Sequence, residues 1–267
     1  MKKTLKTGAV TWSYLDNEKG EEVWLTFHGY GQSAEVMHRF MKTFRPEARV
    51  LSFDLPLHGE TKTRKLQSLR TSDLGDLLGD ALRITGGKKC SVLAFSLGGK
   101  IGLKLAELSP NKMDQLVLIA PDGLKINPFY WFATNTFVGK LIFELVIQFP
   151  QPILVTSKAL ASIRLMHPKI HEFVSSQLAS KSNRQKILAT WMMFKNVQPS
   201  LDQVRKKIWR YKIRPTLVFG KHDKVIHPKL SKKLSGENCS TAEVIMLDAG
   251  HGIITRKYAE QLQKRVK

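Results

Sequence analysis

Cys90-Ser91-Val92-Leu93-Ala94-Phe95-Ser96-Leu97-Gly98-Gly99 is the stretch from which the fold is read. Its first six residues form a short apolar run of the kind that makes a buried strand, and Lys100 to Leu108 continues as a helix stopped by Pro110. Strand, tight turn and helix thus follow within about twenty residues, with a serine at the turn. The same alternation repeats on both sides. Buried-strand runs occur at Val23 to Phe27, Arg49 to Phe53, Leu116 to Ala120, Thr216 to Phe219 and Glu243 to Leu247. Helical 3-4 spacing occurs at Ala34, Met37, Phe40, Met41 and Phe44 after the candidate cap Ser33, and at Leu74, Leu77, Leu78, Ala81 and Leu82 after Ser72, with Arg256 to Val266 as a closing helix. Repeated βαβ units predict an α/β domain with a mostly parallel central sheet and helices on both faces.

Toward the N-terminus, Val10 to Leu15 alternates as a strand, and Asp16 to Gly20 supplies turn residues, so this segment is expected to form a hairpin with the Val23 to Phe27 strand. From Leu124 the βα alternation stops for about ninety residues that keep helical periodicity and are rich in Phe, Trp and Tyr. The expected organisation is therefore a core of residues 1–123 and 213–267 interrupted by a helical insertion at 124–212. The 267 residues are sufficient for one large domain, and 42% hydrophobic with 24% charged residues excludes a disordered or low-complexity chain. Cys90 and Cys239 are too few and too distant for a disulfide framework and read as small buried hydrophobes. The opening Met1-Lys2-Lys3 is followed by polar residues rather than an h-region, and Phe137 to Phe149 is too short to span a bilayer, so a soluble, cytoplasmic protein is expected. The 43 Lys+Arg against 22 Asp+Glu give +21; these charges are scattered, and no nucleic-acid partner is expected.

The chemistry-bearing residues fall in loops after successive strands, where open α/β sheets bind ligands. Ser96 follows one strand; Asp223 follows another, in Phe219-Gly220-Lys221-His222-Asp223; His251 follows a third, in Asp248-Ala249-Gly250-His251-Gly252. A serine hydroxyl needs a base to accept its proton, and an imidazole base needs a carboxylate to fix its tautomer. Two backbone amides are candidates to hold a developing oxyanion, those of Leu97 and of Tyr30 in His28-Gly29-Tyr30-Gly31. Asp122 is a second carboxylate within reach of that sheet edge, read first as a turn residue. His28 and His58 read as loop braces. His167 and His171 have the spacing of a metal pair on one helix face, but Pro168 intervenes and no third ligand is evident, so no metal is expected. A competing pattern is Gly29-Tyr30-Gly31-Gln32-Ser33-Ala34 with Asp54, a dinucleotide fingerprint that leaves Ser96, Asp223 and His251 unused.

Taken together, these motifs resemble the α/β-hydrolase superfamily, in its lidded branch of carboxylesterases, pimeloyl-carrier methyl ester esterases, carbon–carbon bond hydrolases and non-haem haloperoxidases. Ala94 to Gly98 is similar to the nucleophile elbow, with Ala94 at its first glycine position. His28 to Gly31 is similar to the oxyanion loop, Asp54-Leu55-Pro56-Leu57-His58-Gly59 to the D-x-P-x-x-G turn, and Gly220 to Asp223 and Gly250-His251 to the acid and histidine loops. The resemblance implies a Ser96, Asp223, His251 triad, an oxyanion hole of the Tyr30 and Leu97 amides, a lid formed by the helical insertion at 124–212, and no cofactor. The expected substrate is a small-molecule carboxylic ester or thioester. The 14 Lys+Arg against 3 Asp+Glu between residues 125 and 212 suggest an anionic or carrier-linked one, or a membrane surface, if they are more than general basicity. The same scaffold also supports carbon–carbon hydrolysis, perhydrolysis or elimination, and a catalytically inactive binding protein is a further alternative.

Overall fold

The computed structural model describes residues 1–64, 68–165, 168–235 and 242–266. Its strands are β1 (Lys2–Thr7), β2 (Val10–Asp16), β3 (Val23–Phe27), β4 (Arg49–Phe53), β5 (Lys62–Thr63), β6 (Cys90–Phe95), β7 (Met113–Ile119), β8 (Arg214–Gly220) and β9 (Glu243–Leu247). Among the described residues they form one nine-stranded sheet in the order β1-β2-β4-β3-β6-β7-β8-β9, with β5 paired to β2 off this path. From β4 to β9 every neighbouring pair is parallel, and β1, β2 and β5 join antiparallel. β3 and β6 are buried along their whole length, which is why their sequences are continuous apolar runs rather than alternating ones.

The expected β2–β3 hairpin does not form. β2 instead makes a hairpin with β1, pairing Thr7 with Val10, and both β2 and β3 lie beside β4 on its opposite edges. The turn depends on Gly8 at φ +52, where a Cβ would collide with Arg70 and Asp73 side-chain atoms at 2.3 Å. The Lys and Thr residues of β1 look outward at every second position, so it carries little apolar signal.

Two compact units are present: Met1–Lys65, Leu69–Lys125 and Asn196–Lys267 in one, and Ile126–Lys195 in the other. In the first, helix α1 (Ala34–Phe44) turns Met37, Phe40, Met41 and Phe44 inward, and α10 (Arg256–Gln263) packs against it. Ser33 occupies the cap position of α1 without a side-chain hydrogen bond; the Asp54 carboxylate accepts from the Ala34 amide instead, at 2.7 Å. α2 (Thr71–Thr85) begins before the expected cap Ser72 and ends at Gly86 in the left-handed conformation. α3 (Gly98–Leu108) follows β6. The Cys90 thiol is buried and pushed up to about 12 by that burial; Cys239 lies outside the described residues.

The second unit holds α4 (Pro128–Asn135), α5 (Phe137–Gln148), α6 (Gln151–Ser162), α7 (Pro168–Leu178) and α8 (Lys181–Phe194). Side-chain caps start three of these helices: Asn127 accepts from Phe129 and Tyr130, Thr136 from Gly139, and Ser180 from Asn183. Its aromatic centre stacks Phe143 on Trp191 at 5.0 Å, with Phe129 and Tyr130 edge-on to the same indole. The Arg184 guanidinium, buried, donates to the carbonyls of Ile147 and Leu178 and ties three helices together. This unit ends at Lys195, short of the sequence boundary at 212. α9 (Leu201–Arg210) belongs to the first unit, burying Val204 and Ile208 and packing beside α3, where Glu107 accepts from the Ser200 amide at 2.9 Å.

Candidate active site

Ser96 sits on the turn between β6 and α3 with φ +48, a left-handed conformation that a non-glycine residue adopts at a cost. The turn is fixed on several sides. The Ser96 amide donates to the Ile119 carbonyl at 3.0 Å, and the Ser96 carbonyl accepts from the Gly99 and Asp122 amides at 2.8 Å each. Gly98 passes so close to the end of β3 that a Cβ there would lie 2.4 Å from the Phe27 carbonyl oxygen. No side chain fits at that position.

The departure at Ala94 has a structural counterpart. A Cβ on Gly102, one turn into α3, would lie 2.9 Å from the Ala94 Cβ. The space gained by a glycine on the strand in the usual elbow is here supplied from the helix. Gly102→Ala is therefore expected to cost about 1–3 kcal/mol through overpacking, and adding Ala94→Gly should recover part of that loss. Chemical denaturation of both single variants and the double variant reads the coupling.

His251 and Asp223 come to Ser96 from two further loops. His251 Nε2 lies 3.0 Å from Ser96 Oγ, and His251 Nδ1 lies 2.8 Å from Asp223 Oδ2. Asp223 is buried, and its other oxygen accepts from the amides of Val225 and Ile226 at 2.8 and 2.9 Å. With the Nδ1 proton directed at this fixed carboxylate, Nε2 presents its lone pair to the Ser96 hydroxyl. Phe95 packs on the imidazole at 5.2 Å between ring centres, which limits its rotation. The two loops are laced by hydrogen bonds from the Lys221 and His222 amides to the carbonyls of Leu247 and Ala249. Their approach needs Gly220, whose Cβ would meet the Gly250 carbonyl oxygen at 2.2 Å.

Two other carboxylates are near in sequence and used differently. Asp248 is exposed and pairs with His222 at 3.0 Å. Asp122 accepts from the Gly123 amide at 2.7 Å and faces the buried Lys100 ammonium at 3.4 Å, consistent with a turn residue.

On the Tyr30 side, Gly29 lies against the serine turn: a Cβ would stand 2.9 Å from the Phe95 ring and 3.2 Å from Ser96 Cβ. Gln32, which sequence reasoning passed over, accepts from the Gly29 amide at 3.0 Å and shapes this loop. Neither Tyr30 nor Leu97 commits its amide to a backbone hydrogen bond among the described residues. His28 is buried; the Leu55 amide donates to its Nε2, and its Nδ1 proton points at the Gly29 carbonyl. It braces one loop against another, as does the ring of His58, which contacts both His28 and Tyr30. Asp54, the acid of the dinucleotide pattern, spends its two oxygens on the amides of Ala34 and Glu60. His171 bonds with Ser157 at 2.9 Å, and His167 lies outside the described residues. Among the described residues no three His, Cys, Asp or Glu side chains cluster to hold a metal ion.

An α/β sheet whose strand-end loops converge on a serine, a histidine and an aspartate defines the class. Residues 25–257 match the family described as the alpha/beta hydrolase fold, and the chain belongs to that family. Among curated proteins it is 31% identical over 156 residues to a dihydrolipoyllysine-residue acetyltransferase component of an acetoin cleaving system from Pseudomonas putida, covering 56% of this chain and 41% of that protein. It is also 31% identical over 93 residues to a pimeloyl-[acyl-carrier protein] methyl ester esterase from Nitrosomonas europaea, covering 35% of this chain and 34% of that one. These matches span about two fifths or less of the relatives' lengths. Among solved structures, a hydrolase from Pseudomonas aeruginosa PA01 superposes with a TM-score of 0.67 at 16% identity, covering 98% of this chain and 96% of that chain.

Proposed function

We propose that the protein hydrolyses a carboxylic ester or thioester through an acyl-enzyme on Ser96. The observation that carries this reading is the unbroken hydrogen-bonded series from Ser96 Oγ through His251 to the buried Asp223. Family membership and the esterase among the partial relatives support it. In the first half-reaction Ser96 Oγ attacks the acyl carbon while His251 Nε2 takes its proton, and Asp223 stabilises the imidazolium. The tetrahedral oxyanion is held by the amides of Tyr30 and Leu97, an arrangement in which each donor contributes on the order of 3 kcal/mol. The leaving alcohol or thiol departs with the proton from Nε2. Water then gives its proton to Nε2 and its oxygen to the acyl carbon, and the carboxylic acid leaves as Ser96 is re-protonated. Every proton and bond in the cycle is supplied by substrate, water and these three side chains.

The 126–195 insertion leaves the sheet after β7, the strand beside the one that carries Ser96. We assign to it the choice of acyl group, the lid role expected from sequence. The test is hydrolysis of p-nitrophenyl esters of increasing acyl length, neutral and carboxylate-bearing, across ionic strength. A sharp optimum in length is expected, and the rate with the anionic ester should fall as salt screens the +21 charge. Absence of hydrolysis for every ester and thioester by folded protein counts against the reading.

A further inference from the structure

Helix α5 is apolar on both its inward and its outward face. Inward, Gly139, Phe143, Val146 and Ile147 are buried in the second unit, and Phe143 stacks on Trp191. Outward, Phe137, Val138, Leu141, Ile142, Leu145 and the following Phe149 recur at helical spacing and are 42–83% exposed. A water-facing helix ordinarily carries polar residues there; a helix that is apolar all round is buried or meets lipid. This face is the densest part of a wider feature, since most exposed large hydrophobic side chains of the described residues lie between Ile126 and Leu165.

By itself this twelve-residue helix is too short to cross a bilayer. Among the described residues no single helix is long and apolar enough to do so; α5 and α6 have the composition only as a pair, and they are bent by 87° at their junction. An apolar face on a helix of twelve residues, about 18 Å long, instead suits a position in the plane of the interface. The charge of this unit is mainly positive, although Arg184 is buried and Glu144 on α5 is exposed. Residues 126–195 carry eight Lys or Arg and two acids. Lys158 on α6 and Arg164 after it are exposed, and the one acid on α5, Glu144, follows Lys140 by one turn.

We propose that the outward face of α5 is a docking surface for an anionic lipid bilayer, on which the chain rests without spanning it. Its apolar side chains enter the acyl boundary while nearby lysines and arginines meet the headgroups. A second copy of the chain is the less favoured occupant because each copy brings +21 charges to the contact. The proposal does not depend on the esterase reading.

The test is co-sedimentation of the full chain with phosphatidylcholine vesicles, with and without about one-third phosphatidylglycerol. Wild type is compared with Leu141→Glu/Leu145→Glu and with Trp209→Glu, an exposed apolar residue outside the second unit, and thermal unfolding checks that each variant is folded. Binding is expected to require phosphatidylglycerol and to weaken with salt. The double variant should lose more than about tenfold in partitioning, and Trp209→Glu should match wild type. Equal binding by wild type and the double variant overturns the proposal, as does failure of the wild type to bind either vesicle. A soluble wild-type dimer that the double variant dissociates assigns the face to self-association and also overturns it. Should the double variant not fold, quenching of wild-type tryptophan fluorescence by brominated lipid replaces it: Trp131 lies exposed in the second unit and Trp191 stacks on Phe143 of α5, and the quenching should disappear in Trp131→Phe/Trp191→Phe. Quenching that persists in that variant overturns the proposal.

Discussion

Ser96→Ala is expected to lower ester turnover by about a millionfold, the scale set when a nucleophile acting with its base as one unit is removed. The alanine keeps the strand, the turn and the helix, because the Ser96 backbone bonds to Ile119, Gly99 and Asp122 do not involve its side chain. The left-handed φ of +48 is equally strained for serine and alanine, so stability should hardly change. Steady-state turnover and thermal melting measured on the same preparation separate the two quantities. A variant that keeps more than a hundredth of wild-type activity would mean that Ser96 is not the nucleophile.

Asp223→Asn should cost about ten thousandfold in kcat, with the fold again intact. The asparagine oxygen can still accept from the Val225 and Ile226 amides, which orients its NH2 group toward His251 Nδ1. A donor at that place favours the tautomer protonated on Nε2. The imidazole would then aim a proton, rather than a lone pair, at the Ser96 hydroxyl. Asp248→Asn is the control, since that carboxylate is exposed and engages His222 rather than His251; its effect should stay within a fewfold. A loss of less than tenfold in Asp223→Asn would assign the support of His251 to another group.

Much of this arrangement is legible in the sequence. β3, β6 and β8 are buried continuous apolar runs, and the loops that follow β3, β6, β8 and β9 carry Tyr30, Ser96, Asp223 and His251. Sheet order explains why reading loops in sequence succeeds: all of these parallel strands end on the same edge. What escaped were features set by tertiary contact. β1 is stabilised by its pairing with β2 and carries lysines on its outer face, so its sequence resembles a polar terminus. α9 is amphipathic like the helices before it, and only the buried Val204 and Ile208 assign it to the first unit. The partnership of Ala94 with Gly102 joins residues eight apart on different elements, a spacing that matches no periodicity. The turn at Asp54 is visible in its D-x-P-x-x-G pattern, but its bond to the Ala34 amide, which caps α1 where Ser33 does not, joins residues twenty apart and leaves no local signal.

The central claim is that Ser96 is an activated nucleophile. Reaction of the folded wild-type chain with a fluorophosphonate, followed by peptide mass spectrometry, tests it most directly. The account predicts one adduct, on the peptide carrying Ser96 and on its hydroxyl, absent in Ser96→Ala and much slower to form in Asp223→Asn. An adduct on another residue, or no adduct on folded protein, would contradict it.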